Sequence, residues 1–390
     1  MSVSHAVVGV VTDEGGEVDY GQVAALAAVF GQVNDPRKAR GVRHRLAGVL
    51  TVVTLALLCG ARNFRQAADR VAELPQPLLA AAGARRHPVL GIRVTPGRDT
   101  LRRLVEAVDA AVVDRLVSAW LAARLPGPAD GCGLSLDGKT VRNSGGPTGV
   151  DVQLFSAMRH DTAVVVAQVQ VPPDTTEVTQ IRALLDHVEV AGMVVTADAA
   201  HPSSDTAAYL RGRDADYVFT VKGNRPTLLA AITDRLPAAT AATSAHTDTE
   251  RRSGYRVTRT IWVAAATGID FPGAAVVFRL RRDVYAPDGQ RVSKQIVHGI
   301  TSLVGAAADL LTYIRTHWWI ENKIHWVRDV LFGEDTHHAW LGSLAHAMAA
   351  LRNLAIALIR LAGHSRIKQV MERHHADKML IPALLNASRP

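Results

Sequence analysis

Cysteine is scarce in this chain, and neither of its two cysteines belongs to a CxxC pair. Cys59 falls in an apolar run and Cys132 in a glycine-rich loop, which argues against a disulfide framework and against a thiolate zinc site. The HExxH pattern of zinc hydrolases is also missing. Disulfide scaffolds and zinc fingers are therefore excluded as classes for this chain.

Long hydrophobic runs are missing too. The longest apolar stretch, residues 46–61, is shorter than the roughly 20 residues that span a bilayer. Residues 1–20 have an acidic, glycine-containing centre and no basic region ahead of their apolar residues, so they do not resemble a signal peptide. We therefore expect residues 46–61 to form a buried core helix in a cytoplasmic, nucleoid-associated protein that does not contact a membrane.

The composition allows a large core and indicates a polyanionic partner. The 390 residues are 48% hydrophobic and 21% charged, which is enough for two or three domains. Lysine and arginine outnumber aspartate and glutamate by 44 to 36, and the isoelectric point is near 9.8. This excess of positive charge favours nucleic acid as the partner.

Apolar residues at three- and four-residue intervals predict a helical N-terminal domain over residues 21–128, after a segment at 1–20. The predicted helices cover 20–33, 45–61, 63–74 and 100–125, and the segment 85–99, rich in proline and glycine, is predicted to be a loop. Asn63 is expected to cap one helix, and Asp99 or Thr100 another.

The pattern becomes strand-like after residue 128. The runs "LSLDG", "VQLFSAMR" and "AVVVAQVQV" predict three antiparallel strands, and helices then alternate with strands up to residue 237. Residues 238–305 return to strand patterns with alternating arginines and are interpreted as a β-rich insertion, and residues 306–390 are helical. The expected fold is α/β with a mixed sheet.

Two aspartates end predicted strands: Asp137 in "LSLDGKTVRNS" and Asp198 in "VVTADAAH". If those strands are neighbours, the two carboxylates meet at one edge of the sheet, where they repel one another unless a cation lies between them. Carboxylate oxygens suit Mg²⁺ or Mn²⁺. The alternative is that both are loop aspartates that cap helices.

A third acid is expected from the helix "RTHWWIENKIHWVRDVLFGED". Helical spacing places Glu321 on one face with His317, His325 and Arg328. The alternative is a core helix with a surface glutamate, whose tryptophans belong to the core. Other candidates for the third carboxylate are Asp329, Glu334 and Asp335.

These motifs, together with "DYVFTVKGNRPTL" and "NDPRKARGVRHRLAGVLTVVTLALLCGARNF", resemble those of DDE insertion-sequence transposases of the ISAs type, the H-repeat-associated proteins. The resemblance covers about residues 27–362. It implies an RNase H-like catalytic core that a β-rich insertion interrupts, with residues 306–390 completing the core. It also implies that Asp137, Asp198 and Glu321 hold two Mg²⁺ or Mn²⁺ ions for endonuclease cleavage and strand transfer.

The partners implied are double-stranded DNA, namely the terminal inverted repeats and the target, and a second copy of the chain in a homodimer. The helical N-terminal domain would bind DNA or join the subunits. The expected DNA contacts are Lys139, Arg142, Lys222, Arg225, His317, His325 and Arg328. The chain departs from the family pattern at Arg225, which replaces a glutamine, and at Gly254 and Thr258, which replace a histidine and an acid.

Two other functions remain open from the sequence. One is a zinc hydrolase whose ligands would come from His317, Glu321, His325, His337 and His338, although the histidine spacing does not have the glutamate of HExxH. The other is a catalytically inactive DNA-binding protein derived from a transposase. Metal dependence and DNA cleavage would separate the three.

Overall fold

The computed structural model describes residues 18–236, 244–339 and 341–388. The predicted segment 1–20 and the boundary between residues 237 and 238 lie almost entirely outside these ranges. Within them the chain is an α/β protein with one large mixed sheet and helices packed on it, as expected from the sequence.

The helical elements alternate with the strands only in the middle of the chain. The helices are α1 (Gly21–Phe30), α2 (Leu46–Leu58), α3 (Phe64–Ala72), α4 (Gln76–Ala81), α5 (Arg98–Ala107), α6 (Ala110–Ala122), α7 (Glu177–Leu185), α8 (Ser204–Arg211), α9 (Pro226–Arg235), α10 (Ala307–His317), α11 (Trp326–Val330), α12 (Leu344–Leu361), α13 (Ile367–Ala376) and α14 (Leu380–Ala387). A π-helical turn, Ile320–His325, lies between α10 and α11. Short 3₁₀ turns cover Ala39–Gly41, Gly146–Thr148 and Glu334–Thr336.

In the described residues the strands form a two-stranded hairpin and a nine-stranded sheet. They are β1 (Arg85–Arg86), β2 (Arg93–Val94), β3 (Gly133–Val141), β4 (Val152–Arg159), β5 (Val165–Val171), β6 (Val194–Ala197), β7 (Asp216–Val221), β8 (Ser244–Arg252), β9 (Tyr255–Ala265), β10 (Val276–Tyr285) and β11 (Arg291–Thr301). The order in the large sheet is β5-β4-β3-β6-β7-β11-β10-β9-β8.

The three strands β3, β4 and β5 pair antiparallel, while β6 runs parallel to β3 and β7 parallel to β6. Residues 244–301 form an antiparallel meander, and β11 pairs with β7 so that Thr301 lies opposite Val218. The strands predicted as a β-rich insertion therefore extend the same sheet, because β7 offers them an unpaired edge.

Several local predictions need correction. The helix predicted over 100–125 is two helices, because the chain is extended at Val108, and Asp109 then caps α6 by accepting from the Val112 N–H. Asp99 and Thr100 do not cap α5, whose N-cap is Gly97. The hairpin β1–β2 lies in the predicted loop, and β8 has no apolar alternation that would reveal it. Asn63 does cap α3, through the Gln66 N–H.

The main apolar core joins the two ends of the described chain. Buried side chains of α1 to α6 pack with those of α12 to α14 in one cluster. Helix α12 is long and apolar enough to cross a membrane by length and composition, but 89% of it is buried inside the protein. It contacts α2, α5 and α6, so its apolarity matches a position in the core.

Candidate active site

Only one of the two predicted aspartates ends its strand: Asp198 directly follows β6, whereas Asp137 lies in the middle of β3, so the prediction that it ends a strand was wrong. The register of β3 and β6 pairs Leu136 with Ala197; Asp137 is the next residue of β3, and Asp198 is the first residue after β6. Because the two strands are parallel and paired up to these residues, the two aspartates are neighbours where β6 ends, while β3 continues to Val141. The sequence alone predicted this meeting only on the condition that the strands were adjacent.

The π-helical turn brings the third acid to the same place. Glu321 follows α10 at the start of this turn, and its Oε2 lies 3.1 Å from Nδ1 of His325. That same Nδ1 atom lies 3.4 Å from Oδ2 of Asp137. One possible ligand atom from each of Asp137, Glu321 and His325 lies within 4.8 Å of the others. π-Helical turns occur often at functional sites because they redirect side chains within a helix.

The two aspartates are in different electrostatic environments. Burial raises the pKa of Asp137 to about 6; His325 opposes this shift, and the charges of Glu177 and Glu321 add to it. Burial also acts to raise the pKa of Asp198. Hydrogen bonds from the Thr220 hydroxyl and the Ala199 N–H, together with Lys222, outweigh that and lower it.

The donor set fits a hard divalent cation. Asp137 and Glu321 supply carboxylate oxygens, and Asp198 follows the strand that pairs with that of Asp137. Burial is the main cause of the raised pKa of Asp137, and a cation bound beside this carboxylate would offset that effect. The Nε2 atom of His325 is buried and has no hydrogen-bond partner among the described residues, so this ring can turn or tilt without breaking a bond at that end.

The other candidates for the third carboxylate lie in a separate cluster. Asp329, Glu334 and Asp335 lie within 4.8 Å of one another, and cations from the protein itself neutralise them. The Lys139 ammonium lies 2.8 Å from Asp329 and 3.3 Å from Asp335. Lys139 is only 8% exposed. Lys139 therefore forms internal ion pairs and is not the exposed phosphate contact that the sequence predicted.

Arg328 also needs correction. Its side chain is fully buried, and its Nε and a terminal nitrogen donate to Glu334 at 2.6 to 3.0 Å. Arg352 donates to the same carboxylate at 2.8 Å. Burial alone would raise the pKa of Glu334, but the two arginines outweigh this effect and lower it to about 2. Arg328 has no exposed surface with which to contact DNA.

Three predicted contacts remain at the surface. Arg142 follows β3 and its side chain is 78% exposed, with only a 3.8 Å ion pair to Asp335. Lys222 follows β7, is 57% exposed and lies 3.2 Å from Asp198. Arg225 is exposed at the start of α9. All three therefore have cationic groups open to solvent.

The predicted histidines are buried. His317 forms a 2.9 Å hydrogen bond with the Thr196 hydroxyl. His160, which was not predicted from the sequence, forms 2.7 Å hydrogen bonds with the hydroxyls of Ser135 and Thr316. Burial lowers the pKa of His317 to about 4 and that of His160 to about 3. These neutral rings tie α10 to β3 and β6, so His317 is not free to contact DNA.

The zinc set considered from the sequence does not assemble in the described residues. Of its histidines, only His325 shares a possible metal group with Glu321. His317 forms a hydrogen bond with Thr196, and His337 donates to the Phe332 carbonyl at 3.3 Å.

Two tryptophans close to Glu321 in the chain, Trp318 and Trp326, are each 52% exposed instead of lying in the core.

Two further residues beside the acids were missed from the sequence. Glu177, the first residue of α7, and His201, three positions after Asp198, form a 2.6 Å contact. Glu177 has no spacing to the acids that predicts proximity, because α7 reaches the site only through the crossover from β5 to β6. The histidine of "DAAH" was the one available signal.

Comparison with known proteins gives a consistent result. Residues 128–358 match the family model described as "Transposase DDE domain", and residues 27–121 match the one described as "DDE_Tnp_1-associated". The chain is 25% identical over 354 residues to "Putative transposase YncI" of Escherichia coli O157:H7, covering 87% of this chain and 88% of that one.

Two further similarities cover most of the chain. It is 24% identical over 346 residues to "H repeat-associated putative transposase YhhI" of Escherichia coli strain K12, covering 84% of this chain and 88% of that one. Among solved structures, the piggyBac transposase synaptic complex with hairpin DNA covers 96% of this chain and 79% of that one, at 10% identity and a TM-score of 0.46.

Proposed function

Because the chain belongs to the family of the transposase DDE domain, we propose that it is a metal-dependent DDE transposase that cleaves and joins DNA strands at insertion-sequence ends. The observation that carries this proposal is the convergence of Asp137, Glu321 and His325 within 4.8 Å, with Asp198 directly after the strand that pairs with that of Asp137. Asp137 comes from β3, Asp198 from the residue after β6, and Glu321 and His325 from the distant π-helical turn. Such convergence is typical of a site and not of helix capping.

The proposed core is RNase H-like. The support is the strand order β5-β4-β3-β6-β7, with three antiparallel strands followed by two parallel ones. In this proposal residues 129–237 and 306–390 form the core, residues 238–305 widen its sheet, and residues 21–128 bind DNA or join subunits. The core shared between α1–α6 and α12–α14 would then fix the N-terminal helices to the catalytic part.

Asp137, Asp198 and Glu321 would hold two Mg²⁺ or Mn²⁺ ions. A pair of such ions, when bound, supplies activation of a water or a 3′-hydroxyl and charge stabilisation at the leaving oxygen of an in-line displacement at phosphorus. The protein's own contribution is placement: the sheet edge fixes the two aspartates, and the turn fixes Glu321. Lys222 would release Asp198 and turn to a phosphate, since 57% of its side chain is exposed.

The DNA partner would be the terminal inverted repeats and the target duplex. Lys222 contacts Asp198, Arg225 lies three residues further along the chain, and Arg142 follows the strand of Asp137; all three are exposed cations, and such groups bind phosphates irrespective of sequence. Trp318 and Trp326 offer exposed rings on which an unpaired base can stack. Joining two DNA ends would need two copies of the chain, and the protein would act at the nucleoid in the cytoplasm.

A second function, DNA binding without cleavage, has one observation in its favour. Asp198 is held by Lys222 and Thr220 and does not share the group that contains Asp137 and Glu321. If that ion pair persisted on DNA, the site would lack its third acid. The same experiment separates the two functions.

The test is cleavage of a plasmid that carries the element ends, with Mn²⁺, Mg²⁺ or EDTA. The transposase should cut at the ends only with metal, and Asp137→Asn and Glu321→Gln should abolish cutting while leaving the band-shift of the DNA intact. Asp234→Asn, a change at an exposed position of α9, is the matched control. Specific binding by a folded protein that never cuts would refute the transposase and support the binding protein.

A further inference from the structure

The carboxylate of Glu177 lies across the strand that carries Asp137. Its Oε1 accepts from Nε2 of Gln153 on β4 at 2.5 Å, and its Oε2 lies 2.6 Å from Nε2 of His201, in the loop after β6. Between those two strands lies β3. One side chain from α7 therefore connects both neighbours of the strand that carries the first acid.

Gly138 makes room for this carboxylate. A Cβ atom at Gly138 would lie 1.7 Å from Oε1 of Glu177, and its three nearest atoms would all belong to that carboxyl group. The backbone of Gly138 does not have a positive φ, so glycine is needed here for space and not for conformation. The carboxyl group of Glu177 thus fills the space that a side chain at position 138 would need.

His201 carries the connection to the second acid. The ring is 1% exposed, stacks on Phe155 with centroids 5.1 Å apart, and directs Nδ1 at the main-chain oxygen of Asp198, 3.2 Å away. Phe155 is the partner of Gly138 in the β3–β4 register. Both ring nitrogens of His201 therefore face oxygens that can accept a hydrogen bond.

We propose that Glu177 and His201 form a brace that positions Asp137 and Asp198 relative to one another for metal binding. The proposal rests on the proposed function, because it concerns the same two aspartates. Glu177 acts here as a positioning residue, through His201 and the Gly138 backbone, and not as a ligand, because its two carboxylate oxygens are already engaged by Gln153 and His201.

A purely structural role explains the Glu177–His201 pair less well. Burying a carboxylate against a histidine stabilises a fold little compared with apolar side chains of similar size. This pair is instead placed where it contacts the backbone beside each aspartate. Residues that orient metal-binding side chains in this way typically change metal affinity or activity roughly 10- to 100-fold when they are replaced.

The test uses the full chain with Glu177→Ala, Glu177→Gln, Gly138→Ala and the double variant Gly138→Ala/Glu177→Ala. Mn²⁺ affinity by electron paramagnetic resonance, plasmid cleavage, metal-free DNA band-shift and thermal unfolding are measured for each. Glu189→Ala is the matched control, since Glu189 is an exposed acid in the loop after α7.

We expect Glu177→Ala to weaken Mn²⁺ binding and slow cleavage by roughly 10-fold or more, with metal-free DNA binding unchanged. Glu177→Gln keeps an acceptor for His201 and should retain most of both. Gly138→Ala should match Glu177→Ala because its methyl group expels the carboxylate. The double variant should be no worse than either single one, since the added methyl group is harmless once the carboxylate is gone.

Three results would overturn the brace. The first is Mn²⁺ affinity of Glu177→Ala equal to that of the wild type. The second is a Glu177→Gln variant as inactive as Asp137→Asn, which would make Glu177 a catalytic acid. The third is a double variant whose loss is the product of the two single losses. If the wild type cuts no DNA with any metal, the transposase proposal fails, and the Mn²⁺ affinities still decide the brace.

Discussion

His325 and Asp137 lie 3.4 Å apart, Nδ1 to Oδ2, in a site where the aspartate is partly buried and the histidine contacts a second carboxylate, that of Glu321. The same ring nitrogen contacts both carboxylates, so the ring lies between the two acids. The contact also connects the π-helical turn to the central strand β3. The arrangement has a cost in stability, because the carboxylate of Asp137 has lost much of its water.

Replacing Asp137 with asparagine should therefore stabilise the metal-free protein at neutral pH. Burial raises the pKa of Asp137 from 3.8 to about 6, so the folded state disfavours the ionised form, and the destabilisation grows as the pH rises through that value. At about pH 7.5 we expect Asp137→Asn to gain roughly 1 to 3 kcal/mol in urea unfolding. The gain should vanish near pH 4, and Mn²⁺ should stabilise only the wild type. A variant less stable than the wild type would contradict the electrostatic argument.

Acid should weaken the attachment of α10 to the sheet. The pKa values of His160 and His317 are lowered from 6.5 to about 3 and about 4, mainly by burial. The unfolded chain takes up protons below about pH 6.5 while the folded chain does not, so stability falls as the pH drops from there towards 4. Each ring should contribute on the order of 2 kcal/mol of this loss at about pH 5.

Urea unfolding between pH 7 and 5 checks this, with His317→Asn as the comparison. The variant keeps a polar group for the Thr196 hydroxyl and removes the titration, so its stability should depend less steeply on pH. Equal slopes for the two proteins would show that His317 does not stay neutral in the fold.

Arg328 should matter for folding and not directly for DNA. It is fully buried with Glu334, whose other partner is Arg352. Arg328→Met leaves a buried carboxylate with one partner fewer, and breaking such a pair costs about 3 to 5 kcal/mol. The exposed Arg103 of α5 provides the control, as Arg103→Met. Weakened DNA binding by Arg328→Met at unchanged unfolding free energy would return Arg328 to the DNA contacts.

Arg142 should show the opposite behaviour. Its side chain is 78% exposed just beyond the strand of Asp137, so Arg142→Gln should leave thermal unfolding unchanged and weaken DNA binding on any sequence. The slope of log affinity against log salt should fall by about 1, the value expected for one lost phosphate contact. Arg142→Lys keeps the charge and should keep the slope. An unchanged slope in Arg142→Gln would place the DNA away from this edge.

The sequence by itself determined the elements of the sheet and the family. Alternating apolar residues located β3 to β7 and β9 to β11, and the motifs around Asp137, Asp198 and Glu321 carried the resemblance to DDE transposases. Strand patterns and motifs can be recognised in a sequence because they depend on residues that are close together in the chain. Strand β8 was not predicted because its residues do not alternate between apolar and polar. The break between α5 and α6 was not predicted either, because the apolar helical period continues through Val108, where the backbone is extended.

Only the tertiary structure decided which charged side chains face inward. Helical spacing places Glu321, His325 and Arg328 near one another, but it cannot say that Arg328 points to a buried Glu334 and Arg352. The same holds for Lys139, which Asp329 and Asp335 enclose, and for Glu177, which reaches Asp137 only through a crossover helix. A charge can be buried wherever the fold supplies an opposite charge or a hydrogen bond, and those partners come from distant parts of the chain.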